Sequence, residues 1–118
     1  PSEYHPCPEL VSSAGKHCRL TTSPQDAVAG ADLVITDTWA GMGQEAEKAQ
    51  RLDALAGFQV NEDLMATASP DVLFMHCLPA YRGQEVSAGV LEGPQSVVWD
   101  EAENRLHAQK ALIELLMD

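Results

Sequence analysis

The chain has 118 residues, 45% hydrophobic and 21% charged, the balance of one globular domain rather than a disordered tail. No apolar run approaches the roughly 18 residues that a membrane span needs. Eighteen acidic residues against seven basic ones give a net charge of −11, which excludes the basic face of a nucleic-acid binder and reads first as a solvated acidic surface.

Three cysteines, Cys7, Cys18 and Cys77, have no CxxC spacing. They argue against a disulfide framework and for a reducing compartment. The pairs His17-Cys18 and His76-Cys77 point neighbouring side chains to opposite faces of a strand, a poor metal clamp, so no metal is expected. The first residue is Pro1, and Pro1 to Pro8 is polar and proline-rich rather than a signal peptide. The chain is therefore expected to begin inside a longer protein.

Pro8 to Lys16 predicts a short helix broken near Gly15, and His17 to Thr22 a short strand. Ser23-Pro24-Gln25-Asp26 is a helix start, with a capping Ser, a first-turn Pro and an Asp facing the helix dipole. Gly30 stops that helix. Ala31 to Thr36 (ADLVIT) is a continuous apolar run, the mark of a strand buried on both faces. Asp37 to Glu45 is a loop with two glycines, and Ala46 to Leu55 a helix ending at Gly57. Asn61-Glu62-Asp63 caps a further helix that Ser69-Pro70 ends. Asp71 to Cys77 (DVLFMHC) is a second strand of the buried type, followed by a loop from Leu78 to Gln84. Glu85 to Leu91 predicts one or two helical turns, Ser96 to Trp99 (SVVW) a last strand, and Glu101 to Met117 a final helix.

Strands alternating with helical crossovers predict an α/β fold: a Rossmann-like parallel sheet with helices on both faces. Ligands of such sheets bind at the carboxyl ends of the strands, where the loops after Thr36 and Cys77 converge. In the last helix, Ala111, Leu112, Ile113, Leu115, Leu116 and Met117 are apolar on almost every side. A surface helix keeps a polar stripe, so this end is expected to pack against something further.

Three elements carry candidate chemistry. Asp37 ends an apolar strand, where a carboxylate is costly unless paired or used. It can hold an ammonium group, or only cap its loop. Gly41 and Gly43 permit close approach of backbone to a ligand. His76 and Cys77 end the second strand; a Cys there is otherwise a small buried hydrophobe, and adjacency argues against a direct Cys–His nucleophile pair. Arg105 lies one turn into the last helix and can aim a planar fork at a phosphate or carbonyl oxygen, or pair with Glu101 at i, i+4. Neither GxGxxG nor GxxxxGK[ST] is present, so a nucleotide site is unsupported.

The strings DTWAGMGQE (37–45), FQVNEDLM (58–65), FMHCLPAYRGQEV (74–86) and GPQSVVWDEAENRLHAQKAL (93–112), in this order, resemble the ornithine carbamoyltransferases. The resemblance spans nearly the whole chain and covers the larger share of the family's second, amino-acid-binding domain. It implies transfer of a carbamoyl group from carbamoyl phosphate to the side-chain amine of L-ornithine, giving citrulline and phosphate in arginine metabolism. It implies no metal and no organic cofactor, a cytoplasmic location, and a parent enzyme that is a homotrimer or a higher multiple.

By the same resemblance, Asp37 holds the amino group of ornithine and Met42 contacts the α-amino-acid end through its backbone. Cys77 lies beside the reacting groups, with the Cys77 and Leu78 carbonyls as acceptors. Leu78-Pro79 is cis, and Arg105 binds carbamoyl phosphate. His76, Pro79 and Arg82 have supporting roles. Two departures stand out. The family usually carries Ser-Met-Gly where this chain has Gly41-Met42-Gly43, and the Ser helps hold the α-amino-acid end; an enzyme class that carbamoylates putrescine also carries Gly there. The family's Ser-x-Arg-Thr loop, which cradles the phosphate, has no counterpart in these 118 residues. The carbamoyl phosphate domain is therefore expected to lie outside them, the final helix to pack on it, and the 118 residues alone to be inactive. A non-catalytic amino-acid-binding or interaction module is the third reading.

Overall fold

A computed structural model describes residues 1–41, 43 and 45–117. In chain order its regular elements are α1 (Pro8–Ala14), α2 (Pro24–Val28), β1 (Leu33–Thr36), α3 (Lys48–Leu55), α4 (Glu62–Met65), β2 (Leu73–His76), α5 (Ala88–Leu91) and α6 (Val98–Met117). Short 3-10 turns lie at Ser2–Tyr4, Gly15–His17, Glu45–Glu47 and Ala56–Phe58.

Local chemistry sets the helix starts. The Ser23 hydroxyl accepts from the Asp26 N–H at 3.1 Å, with Pro24 as the first helical residue. Asn61 Oδ1 accepts from the Leu64 N–H at 2.9 Å, and the Ser87 hydroxyl from the Val90 N–H at 3.2 Å. Each satisfies a backbone donor that the helix itself leaves open.

The strands β1 and β2 run parallel, with Leu33 opposite Leu73 and Thr36 opposite His76. Beyond β2 the chain 95–97 adds a short parallel ribbon. The Phe74 N–H donates to the Gln95 carbonyl at 2.8 Å, and the Val97 N–H to the Phe74 carbonyl at 3.0 Å. Core side chains come from one side of the sheet and its helices: Val34, Phe74, Leu64, Met65, Val90 and Leu91, joined by Val72, Val86 and Val98, which are almost wholly inaccessible.

The α/β class and the parallel sheet agree with the sequence pattern, and four expectations need correction. The stretch His17–Thr22 forms no strand among the described residues; only its first residue is in a regular element, a 3-10 turn. Ser96–Trp99 contributes one bridge at Ser96, because α6 already starts at Val98. The central strands are buried on one face only: Leu33, Ile35 and Leu73 are 42%, 63% and 44% exposed, since the elements described cover the opposite face. The helices assigned to 46–55, from Asn61 to 68, and 85–91 shorten to Lys48–Leu55, Glu62–Met65 and Ala88–Leu91. At the far end of α6, Leu112, Ile113, Leu115, Leu116 and Met117 are all exposed.

Candidate active site

The register of the sheet builds the site. Because Thr36 lies opposite His76, the next residues, Asp37 and Cys77, leave the sheet side by side. The Cys77 thiol donates to Asp37 Oδ1 at 3.2 Å. The same oxygen accepts the Thr38 N–H at 2.7 Å. Asp37 thus caps its loop and faces the neighbouring strand end at once. The hydrogen bond to Asp37 is the largest cause pushing the Cys77 thiol above its ordinary pKa, followed by partial desolvation and the charges of Asp37 and Glu101. The thiol therefore stays protonated at neutral pH and acts as a hydrogen-bond donor rather than a thiolate nucleophile.

His76 is completely buried and works backwards into the protein. Its Nδ1 accepts the Leu78 N–H at 2.9 Å, and its Nε2 lies 3.2 Å from Glu85 Oε1. An Nδ1 that accepts leaves the proton of a neutral ring on Nε2, which then donates to Glu85. Glu85 is also completely buried, and its Oε1 accepts the Tyr81 N–H at 2.6 Å as well. The pair therefore holds the loop after β2 at Leu78 and at Tyr81. Gly83, at φ +82°, turns the loop so that its N–H reaches the Val86 carbonyl at 2.8 Å and Glu85 folds inward. Leu78 sits at φ +54° and the Leu78-Pro79 peptide is cis. The positive φ costs a Leu about 1–2 kcal/mol, sustained by the bond to His76.

Asp37, His76 and Cys77 each bring one donor atom within 4.8 Å of the others. Both ring nitrogens of His76 are already engaged, so a metal would have to break one of those bonds to use it.

Arg105 reaches the site through α6. The His76 N–H donates to Glu101 Oε2 at 3.0 Å, which ties the first turn of α6 to the end of β2. Glu101 is thus committed to backbone, and among the described residues no ion pair joins it to Arg105. One turn later Arg105 lines a cleft of about 450 Å³ together with Met75, His76, Cys77 and Glu101. A second cleft, of about 240 Å³, is lined by Asp37, Gly41, Leu78, Pro79 and Tyr81. Cys77 belongs to the first and Asp37 to the second, so their hydrogen bond bridges the two.

Of the sequence candidates, Asp37, Gly41, His76, Cys77, Leu78, Pro79 and Arg105 gather here. Met42 lies outside the described residues. Arg82 turns away, pairing with Glu92 at 2.7 Å on the surface. Sequence reasoning missed Glu85 and Tyr81 and offered Glu101 only as an ion-pair partner of Arg105; the parts all three play depend on partners distant in the chain.

Comparison with known proteins places the chain in a family. Residues 1–116 match the family model described as aspartate/ornithine carbamoyltransferase, Asp/Orn binding domain. The ornithine carbamoyltransferase of Methylococcus capsulatus is 63% identical over 117 residues, 99% of this chain and 39% of that protein. The anabolic ornithine carbamoyltransferase of Pseudomonas aeruginosa is 56% identical over 118 residues, 100% of this chain and 39% of that protein. The crystal structure of anabolic ornithine carbamoyltransferase from Campylobacter jejuni superposes with a TM-score of 0.89 at 39% identity, over 98% of this chain and 41% of that one. The chain thus spans about two fifths of the length of the relatives it matches. With the match running almost end to end, the chain belongs to the aspartate/ornithine carbamoyltransferase family, within its Asp/Orn-binding domain.

Proposed function

We propose that the chain supplies the ornithine half of an ornithine carbamoyltransferase active site. The observation that carries this reading is the meeting of Asp37 and Cys77 at the ends of two parallel strands, with Arg105 lining the same cleft as Cys77. Asp37 receives the ammonium end of ornithine and orients its side-chain amine. The neutral amine attacks the carbonyl carbon of carbamoyl phosphate. Its nitrogen lone pair forms the new C–N bond, the C–O bond to phosphorus breaks, and phosphate departs with that electron pair. The nitrogen loses one proton to the departing phosphate, leaving citrulline.

Arg105 donates to the carbamoyl phosphate oxygens as charge builds on them. Cys77, kept as a thiol, offers its S–H and its backbone carbonyl to the reacting groups. Rate then comes from positioning and fixed charge, with no metal and no organic cofactor. The phosphate-cradling residues come from chain outside these 118, and the apolar end of α6 packs there. The parent enzyme is a homotrimer or higher multiple in the cytoplasm, a compartment in keeping with three free cysteines.

Gly41 at the second cleft favours one further reading, a diamine such as putrescine in place of ornithine, since residue 41 itself offers no hydroxyl to an α-amino-acid group. The deciding experiment expresses the whole encoded protein and measures ureido product from carbamoyl phosphate with each amine. Citrulline from ornithine at higher kcat/KM than product from putrescine is expected. The reverse order moves the substrate to the diamine, and no product from either overturns the proposal.

A further inference from the structure

The 37–47 segment joins β1 to α3 and carries Asp37 and Gly41. The helix it leads into has no fully buried side chain, so apolar packing holds α3 in place only weakly. Two of its cations instead lie over tyrosines from other parts of the chain. Lys48 Nζ is 5.3 Å from the centroid of the Tyr81 ring, and the Arg51 guanidinium 5.2 Å from that of Tyr4. The first contact bears on the site. Lys48 is the first residue of α3, and Tyr81 lines the 240 Å³ cleft together with Asp37 and Gly41. Tyr81 is a firm anchor, because its N–H is fixed by the buried Glu85.

We propose that Lys48 and Tyr81 form a latch that holds the start of α3 against the loop after β2, and so set how tightly the amine substrate is held near Asp37 and Gly41. The inference rests on the carbamoyltransferase reading. Both are positioning residues: they act through the placement of Asp37 and Gly41. The contact needs a cation and an aromatic face, and it needs no hydroxyl on the ring.

The test uses the whole encoded protein with Lys48→Met, Tyr81→Leu, Tyr81→Phe and the double variant Lys48→Met/Tyr81→Leu. Lys48→Met and Tyr81→Leu are each expected to raise the KM for ornithine about 2- to 5-fold, with kcat changed less and the KM for carbamoyl phosphate unaltered. Tyr81→Phe, which keeps the aromatic face, raises the KM for ornithine less than Tyr81→Leu does, and the double variant is no worse than either single one. Hydrogen exchange of the 37–47 amides, read by mass spectrometry, is expected to quicken in the same variants and not in Tyr81→Phe. Unchanged exchange in Lys48→Met, a Tyr81→Phe as impaired as Tyr81→Leu, additive effects in the double variant, or equal weakening toward both substrates overturns the latch. If the parent protein makes no citrulline, the proposed function fails, and the exchange data still decide the latch.

Discussion

The Cys77 thiol and the Asp37 carboxylate lie 40 residues apart in the chain and share a 3.2 Å hydrogen bond. That bond joins the two clefts and fixes the protonation of the sulfur. With its pKa raised by Asp37, the folded thiol keeps its proton to higher pH than a free cysteine does. Alkylation of Cys77 by iodoacetamide, in a Cys7→Ser/Cys18→Ser background, is therefore expected to rise at higher pH than for a model thiol. Asp37→Asn removes the charge and moves the profile to lower pH. A profile that stays where it was would show that Asp37 does not control the thiol.

Glu85 and His76 form a buried pair that reaches both ends of the loop after β2. Removing Glu85 leaves two donors, the His76 Nε2–H and the Tyr81 N–H, without their acceptor, at about 1–3 kcal/mol each. Glu85→Ala is expected to cost the sum of the two in urea unfolding. Glu85→Gln keeps the carbonyl oxygen that serves His76 and Tyr81 but places an amide where Oε2 has no hydrogen-bond partner. It is expected to cost less, about 1–3 kcal/mol.

Glu101 fastens α6 to the end of β2 through the His76 N–H. Glu101→Ala is expected to lose about 1–2 kcal/mol of stability, the usual value for a bond to a charged group reduced for its only partly buried position. It also lowers kcat, because Arg105 sits one turn beyond. Glu101→Gln, which can still accept, recovers most of both. Parallel urea and steady-state measurements on the two variants check this.

Arg105 is expected to be indispensable. Arg105→Ala lowers kcat/KM by about 10²–10³. Arg105→Lys does not restore it, because a single ammonium cannot reproduce the planar fork. Initial rates at varied carbamoyl phosphate give the comparison.

Gly41→Ser supplies a hydroxyl to the second cleft. It is expected to lower the KM for ornithine about 3- to 10-fold, the effect of one hydrogen bond, and to leave that for putrescine unchanged. Equal KM values for ornithine before and after the change would remove Gly41 from substrate selection.

What could be read from sequence followed the range of the interactions. The caps at Ser23 and Asn61 act three residues along the chain, so they show in a short window. Asp37 and Cys77 stand where apolar runs stop, and parallel pairing turns that position into proximity. Glu85 gives no such sign. Its burial comes from His76 and from the Tyr81 N–H, and an exposed surface Glu would look the same in sequence. The stretch SVVW has the β-branched and aromatic composition of a strand, yet α6 begins inside it, with the Glu101 N–H on the Val97 carbonyl at 2.9 Å and the Glu101 side chain on the His76 N–H. The apolar runs of β1 and β2 imply two covered faces, but composition does not say which segment does the covering.

The His76–Glu85 pair also constrains how this family member can diverge. Each residue satisfies the other away from solvent, and each also holds a backbone N–H of the loop. A sequence that loses one of them passes through a form with a stranded buried group and a loosened loop. Positions 76 and 85 are therefore expected to vary as a couple across descendants of this chain, whereas Arg82 and Glu92, paired at the surface, are free to drift one at a time.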